Sequence, residues 1–391
     1  MAFGDVRGPS PLPEITRQIH AAAKAGVPSA WISDGVGWDA LTALAAVGPV
    51  PPATFAAVSP SPSETLAAVS PSPSETLAAV SPSPSGTLAA AGAVPDGMEL
   101  GTAVVPFPQR HPLLLARQAL TTQAAVGGRL TLGIGAGIAR MVDTMYGLPT
   151  DRPASRLREY LEVLLPLLRG EPVEHHGEYY TAVAELTRPT DDTGTGAHGA
   201  GGEGAAGSKA GEGESRGDAP AAGEDGARGV RSAAAGAGLG NGVAAPSVLV
   251  AALGPVMLKV AGELADGTIT WMTGPRTLAE HVVPSITRAA GSRAPRVVAG
   301  FAVCLTADED AVRARFAEQF ALAGQVPEYR AMLDREGAAG PADVLLAGDE
   351  AAIGKQLDRI RDTGATDVML APIGTVDEQR RTTGFLSTVV R

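Results

Sequence analysis

The residues of this chain whose types could do chemistry fall into three groups. The first is polar. Asp34 stands four residues ahead of Trp38, and His111 directly precedes Pro112. An aspartate beside a binding surface can hydrogen-bond a ring nitrogen or move a proton; its competing role is to cap the turn that follows. His111 can exchange a proton near neutrality, or merely satisfy backbone at a helix start. The second group is glycine, in Gly133-Ile134-Gly135-Ala136-Gly137 and in Leu253-Gly254-Pro255-Val256. Glycine lets backbone N–H groups come close to a ligand, and a helix N-terminus favours an anion. Together the two turns could cradle a phosphate and the edge of a flavin-like ring, although tight turns alone also explain such glycines. The run 133–137 is not a dinucleotide fingerprint, because no acidic ribose partner is evident on a following strand. The third group is weaker. Arg276 could meet an anionic substrate or simply face solvent. His175-His176 has no visible third ligand, so no metal is expected. Cys304 falls mid-strand and reads as a small core residue.

These groups need elements to hold them. Helical and strand-like segments alternate from end to end. Strands are expected at 30–32, 98–105, 130–134, 248–253, 268–271, 297–305 and 367–371, with a very short one at 3–4. Helices are expected between them, the clearest at 156–168, where Leu157, Tyr160, Leu161, Leu164, Leu165 and Leu168 recur at 3.6-residue spacing. Asp39 is placed to cap the helix after the first full strand. Strands apolar on both faces and alternating with helices imply a parallel sheet covered by helices. Eight of them imply a closed (β/α)8 TIM barrel, with an open doubly wound sheet as the rival. In such a barrel the site lies at the C-terminal ends of the strands. That end is where Asp34, His111 and both glycine turns fall.

Two stretches do not fit a barrel. In 54–92 the unit Ala-Ala-Val-Ser-Pro-Ser-Pro-Ser repeats three times at an eleven-residue period. Two prolines per unit forbid a coiled coil, so an extended, flexible insertion is expected. The stretch 189–246 is rich in Gly, Ala and Glu and cannot bury enough apolar surface to offset chain entropy; a disordered insertion is expected. Setting both aside leaves roughly 290 of the 391 residues, which suits the ~250 of one barrel domain.

Composition excludes several functions. Hydrophobic residues make up 45% and aromatics 4%, so the core is filled mainly by Ala, Val, Leu and Ile. The net charge of −11 argues against nucleic-acid binding, which needs a basic face. One cysteine permits no intramolecular disulfide, which fits a reducing compartment. No run reaches the ~18 apolar residues of a membrane span, and the first ten residues do not read as a signal peptide. A cytoplasmic protein without membrane or nucleic-acid partners is expected.

Several segments together carry a family resemblance: Leu100-Gly101-Thr102-Ala103-Val104, Arg110-His111-Pro112, Gly128-Arg129-Leu130-Thr131-Leu132-Gly133-Ile134-Gly135, His176-Gly177-Glu178-Tyr179-Tyr180, and Gly254-Pro255 with Ala261-Gly262-Glu263-Leu264-Ala265-Asp266-Gly267. In this combination the chain resembles the luciferase-like monooxygenases, and its wording is nearest to members that use the deazaflavin coenzyme F420. The resemblance implies a cofactor across the barrel mouth. It also implies a non-prolyl cis peptide at Ala103 and Val104 under the ring. The phosphate side would be formed by Gly135, Ala136 and Gly137 with Leu253, Gly254, Pro255 and Val256. Trp38 matches an aromatic near the ring, and a homodimer is implied. The sugar-phosphate dehydrogenases of the family carry a His after the Asp and a Glu after the glycines; here Gly35 and Ile138 stand in those places. That acid/base pair is missing, which puts sugar-phosphate oxidation in doubt. The expected activity is hydride transfer between F420 and a small organic substrate. The alternatives are an FMN-dependent monooxygenase using oxygen, and a cofactor-binding protein without turnover.

Overall fold

Alternation along each strand decides which side chains fill the barrel and which meet the helices. The computed structural model describes residues 2–3, 11–35, 37–47, 97–186 and 243–389. They belong to one compact unit, Met1–Pro189 with Val243–Arg391. The insertion expected at 54–92, and 189–242 of the second, lie outside the described residues. At the edge of that second stretch, residues 243–246 pack on the barrel: the Gln123 side-chain amide donates to the Ala244 carbonyl at 2.8 Å, and Pro246 is buried.

The described strands are β1 Ala2–Phe3, β2 Ser29–Ile32, β3 Glu99–Thr102, β4 Val105–Pro106, β5 Leu130–Gly135, β6 Val173–His176, β7 Thr181–Ala184, β8 Ser247–Ala251, β9 Gly267–Trp271, β10 Arg296–Leu305, β11 Leu346–Gly348 and β12 Asp367–Pro372. Their parallel pairing runs β1-β2-β3-β5-β8-β9-β10, with β4 beside β5 and β12 beside β10. Strand β12 also lies next to β1, so the sheet nearly closes. Counting β3 and β4 as one interrupted strand gives the eight expected for a TIM barrel. The short first strand pairs in register with β2, Ala2 opposite Trp31 and Phe3 opposite Ile32.

The sequence reading missed some elements. Strand β11 pairs only with the last three residues of β10. Helices Ala139–Tyr146 and Pro327–Glu336 were also missed. The helix after β10 is Glu309–Gln319: Asp308 caps it at Ala311 N–H and it ends at Phe320. His175 and His176 lie in an antiparallel hairpin, the pair β6–β7.

Outward-facing strand residues such as Ala30, Leu100, Leu132, Val250 and Phe301 join helix residues such as Leu44, Leu115, Leu164 and Ile286 in the main core. The lumen is filled in three levels. At the N-terminal ends of the strands Arg296 bonds Glu99 of β3 and Asp367 of β12, and Thr131 of β5 bonds the same Glu99. The middle level holds Trp31, Leu249, Ile269, Val298 and Met369. Gly101 belongs there because any side chain on it would overlap the Trp31 ring. The upper level, facing the C-terminal mouth, is made of the half-buried Ala103, Val104, Ala251 and Trp271. No described helix is long and apolar enough to cross a membrane.

Candidate active site

Apart from Trp271, the top of the lumen is formed by small residues, and their crowding explains the glycines. The Ala103–Val104 peptide bond is cis, as the resemblance implies, and lies between β3 and β4. Val104 then sits against β5. A Cβ on Gly135 would stand 2.7 Å from Val104 Cγ2 and 3.1 Å from the Ala251 Cβ; one on Gly133 would overlap the Thr102 carbonyl oxygen. These two glycines therefore exist first to admit the interrupted third strand. Gly137 takes φ +72°, a left-handed turn suited to glycine, as the chain enters the next helix. Ala136 packs against the main core, leaving only its backbone for a ligand.

The second turn is different. Gly254 is the N-cap of helix Pro255–Leu264, and nothing lies within 4 Å of where its Cβ would be. No side chain caps this helix, so its first N–H groups, which begin at Val256 because Pro255 has none, lack a side-chain partner. Val256 is 62% exposed beside it. The carbonyl of Leu253 accepts a 2.8 Å bond from Nε2 of the buried His281, which fixes the turn from behind. His281 was not singled out in the sequence; a histidine inside a helix gives no local signal of such a contact. Strands β5 and β8 are paired up to Ile134 and Val250, so both turns emerge side by side at one rim.

The polar group lies beyond β2. Arg110 donates from Nη1 to Asp34 Oδ2 at 2.8 Å and from Nη2 to Asp39 Oδ2 at 2.7 Å. Asp34 is the more enclosed carboxylate, its side chain 7% exposed against 29% for Asp39. Burial pushes the Asp34 carboxyl above the ordinary aspartate range, an effect that the Arg110 charge only partly offsets. Burial also acts on Asp39, but hydrogen bonds from Thr42 and the Arg110 charge outweigh it and hold that carboxyl below its usual value. One guanidinium thus serves two acids whose proton affinities are pushed apart, a pattern that separates acid from base roles. Asp34 Oδ1 is the less engaged oxygen, with only a 3.4 Å contact from the Ala40 N–H. Arg110 and Asp39 were visible in the sequence only as part of a motif and as a helix cap. Nothing in their spacing shows that one cation reaches both acids.

The other candidates have structural partners. His111 caps helix Pro112–Ala125: Nδ1 accepts from Leu113 N–H and Nε2 donates to the Thr181 carbonyl of the hairpin, both at 3.2 Å. Its two ring nitrogens are thereby committed to backbone. Trp38 stands 54% exposed in the turn after β2. Arg276 is exposed and pairs with Glu280 at 3.1 Å. His175 faces Glu159 at 3.2 Å, and Glu159 also accepts the backbone N–H groups of Tyr179 and Tyr180. Cys304 is buried in β10, where burial pushes its thiol up to about 11. At the opposite end of the barrel a cavity of about 360 Å³ is lined by Glu99, Thr131, Ser247 and Arg296. Its charged groups bond one another across the strands, so it offers no poised chemistry.

Among solved structures, the chain is similar to the coenzyme F420 dependent tetrahydromethanopterin reductase of Methanopyrus kandleri. The TM-score is 0.58 at 18% identity, covering 99% of this chain and 96% of that one. It is also similar to the FMN complex of the oxygenating constituent of 3,6-diketocamphane monooxygenase of Pseudomonas putida, with a TM-score of 0.59 at 13% identity over 99% and 93%. Both likenesses concern the fold. In sequence it is 25% identical over 254 residues to an uncharacterized protein of Mycobacterium bovis, 61% of each chain. It is 26% identical over 231 residues to the 5,10-methylenetetrahydromethanopterin reductase of Methanopyrus kandleri, 54% of this chain and 51% of that one. The chain thus spans about three-fifths or less of the length of these curated relatives. The luciferase-like monooxygenase family model matches residues 66–380. A match of that extent covers most of the barrel, and on it the chain belongs to the luciferase-like monooxygenase family.

Proposed function

We propose that this chain is an F420-dependent oxidoreductase that transfers hydride between the deazaflavin and a small organic substrate. The observation that carries the reading is the upper level of the lumen. Ala103, Val104, Gly135 and Ala251 meet there at one rim, leaving a floor of small side chains under an open mouth. Such a floor fits a flat tricyclic ring, and the open N-terminal turn at Gly254 fits an anionic tail. When bound, the deazaflavin supplies a ring carbon that carries hydride. The chain itself then has little to do beyond seating the ring, excluding water and handling one proton.

Asp34 is the residue we assign to that proton. Its Oδ2 is anchored by Arg110, and its Oδ1 is the oxygen left to face a ligand. Trp38 would cover the ring from the same side, and His111 would hold the adjoining hairpin in place. The choice of F420 follows the family motifs and the coenzyme F420 dependent tetrahydromethanopterin reductase that shares this fold. FMN with oxygen is the second reading, because the same floor suits either tricycle and the camphane enzyme of this fold carries FMN.

The test is to titrate the purified full chain with F420 and, separately, with FMN, following quenching of cofactor fluorescence. F420 is expected to bind and FMN to bind at least ~10-fold more weakly, about 1.4 kcal/mol. Tight FMN binding without F420 binding would transfer the assignment to the monooxygenase, and binding of neither would end it.

A further inference from the structure

The β9–β10 side of the mouth is built differently from the β2 side. Trp271 is the last residue of β9 and belongs to two clusters at once. It packs on the upper lumen with Ala251, and on a second core made by the segment between β10 and β12. Met272 follows with φ +53°, a left-handed conformation that side chains other than glycine seldom adopt. That turn sends the Met272 side chain into the second core, where it is buried, and leaves Trp271 half-buried at the mouth. Phe320, just past helix Glu309–Gln319, meets the Trp271 ring with centroids 6.5 Å apart, and rests on Phe316 at 4.4 Å. Ile373, the first residue after β12, packs on the same cluster. Trp271, Phe320 and Ile373 come from three distant parts of the chain and are all half-buried beside the C-terminal strand ends.

Two of the charged groups near them, Glu336 and Glu378, are already engaged. Glu336 accepts the backbone N–H groups of Arg276 and Thr277. Glu378 takes Arg315 and the Thr375 N–H. An ionised substrate would find no spare countercharge in these pairs, and burying its charge there would be costly. Aromatic faces instead receive planar rings, by offset or edge contact.

We propose that Trp271, Phe320 and Ile373 form the wall that selects the substrate, and that the substrate is an uncharged molecule carrying an aromatic or fused carbon ring. The proposal rests on the oxidoreductase reading for the mouth, since Trp271 joins the wall to the floor of the ring seat. Phe320 lies outside that floor and is the specificity-determining residue that can be changed without touching it.

Indole serves as the uncharged planar probe and glucose 6-phosphate as the ionised one. Both are titrated calorimetrically into the full chain and into Phe320→Ala, Phe320→Leu and Phe320→Tyr, and F420 and FMN affinities are measured alongside. Wild type is expected to bind indole and give no heat with the sugar phosphate. Phe320→Ala should weaken indole by about fivefold and Phe320→Leu by about threefold, with Phe320→Tyr within about twofold of wild type. Cofactor affinity should stay constant across the series. Equal indole affinity in Phe320→Leu and Phe320→Tyr overturns the wall, even if Phe320→Ala fails to fold, and so does preferred binding of the sugar phosphate. Cofactor binding without indole binding also removes the wall while sparing the oxidoreductase. Indole binding that depends on Phe320, with neither cofactor bound, keeps the wall and removes the oxidoreductase.

Discussion

At the scale of single residues, the shared guanidinium of Arg110 sets the behaviour of two aspartates. Asp39 does two jobs: it caps the following helix through Thr42 N–H at 2.7 Å and it neutralises Arg110. Its carboxyl is held below the ordinary range, so the carboxylate contributes stability above the unfolded aspartate value near ~4 and loses it as pH falls through the lower folded value. Asp39→Asn keeps a capping oxygen but no charge. Its unfolding free energy should fall short of wild type at neutral pH by about 1 kcal/mol, and the gap should close on acidification. Chemical denaturation at a series of pH values measures both. Asp34 has the opposite sign. Its folded value is raised, so its charged form opposes folding as pH rises above the unfolded value. Asp34→Asn should therefore cost little stability at neutral pH while lowering hydride transfer by about 100-fold, if the proton passes through this carboxyl. Stopped-flow measurement of F420 reduction, once a substrate is known, decides it; turnover within a few-fold of wild type would remove Asp34 from the chemistry.

At the scale of elements, the interrupted β3–β4 strand and the glycines of β5 form one unit. Gly135→Ala places a methyl 2.7 Å from Val104 Cγ2. Overpacking of this kind typically costs about 1–3 kcal/mol. The same methyl would raise Val104 into the seat, so cofactor affinity should drop by about tenfold or more. Val104→Ala removes the clashing carbon, and the double variant should recover most of the lost stability. The cycle reads the coupling directly; additive losses would show that the two residues do not press on each other. The sequence marked these glycines as candidate phosphate contacts. Their first duty, admitting Val104, was hidden, because the clash arises between residues about thirty positions apart.

At the scale of the whole molecule, closure depends on a polar staple at the bottom of the barrel. Arg296 of β10 bonds Glu99 of β3 and Asp367 of β12, and its guanidinium lies 5.7 Å from the Trp31 ring above. Burial disfavours the charge on Asp367, but its bonds to Arg296 and Thr366 outweigh that and keep the carboxyl low. Arg296→Met would leave two half-buried carboxylates facing each other without a cation. A loss of about 2 kcal/mol is expected, less than for a fully buried pair because Arg296 is 25% exposed. Urea denaturation should show it, with a part that recovers in Arg296→Met as pH falls and Asp367 protonates. An unchanged midpoint would mean that water satisfies both acids.

Local pattern by itself determined the repeating strand–helix order, the barrel class, the family and the rim on which the glycine turns lie. Apolar runs, caps such as Asp39 and Asp308, and short family motifs are all contained within a few residues. Tertiary structure decided which side chains meet across the mouth. Arg110 reaches Asp34 and Asp39 over more than seventy positions, His281 holds Leu253 from another helix, and Trp271 finds Phe320 from the far side of β10. No local spacing encodes such contacts. A closed parallel sheet brings every strand end to one ring, and the distance between two residues there depends on strand order and register, not on how far apart they stand in the chain.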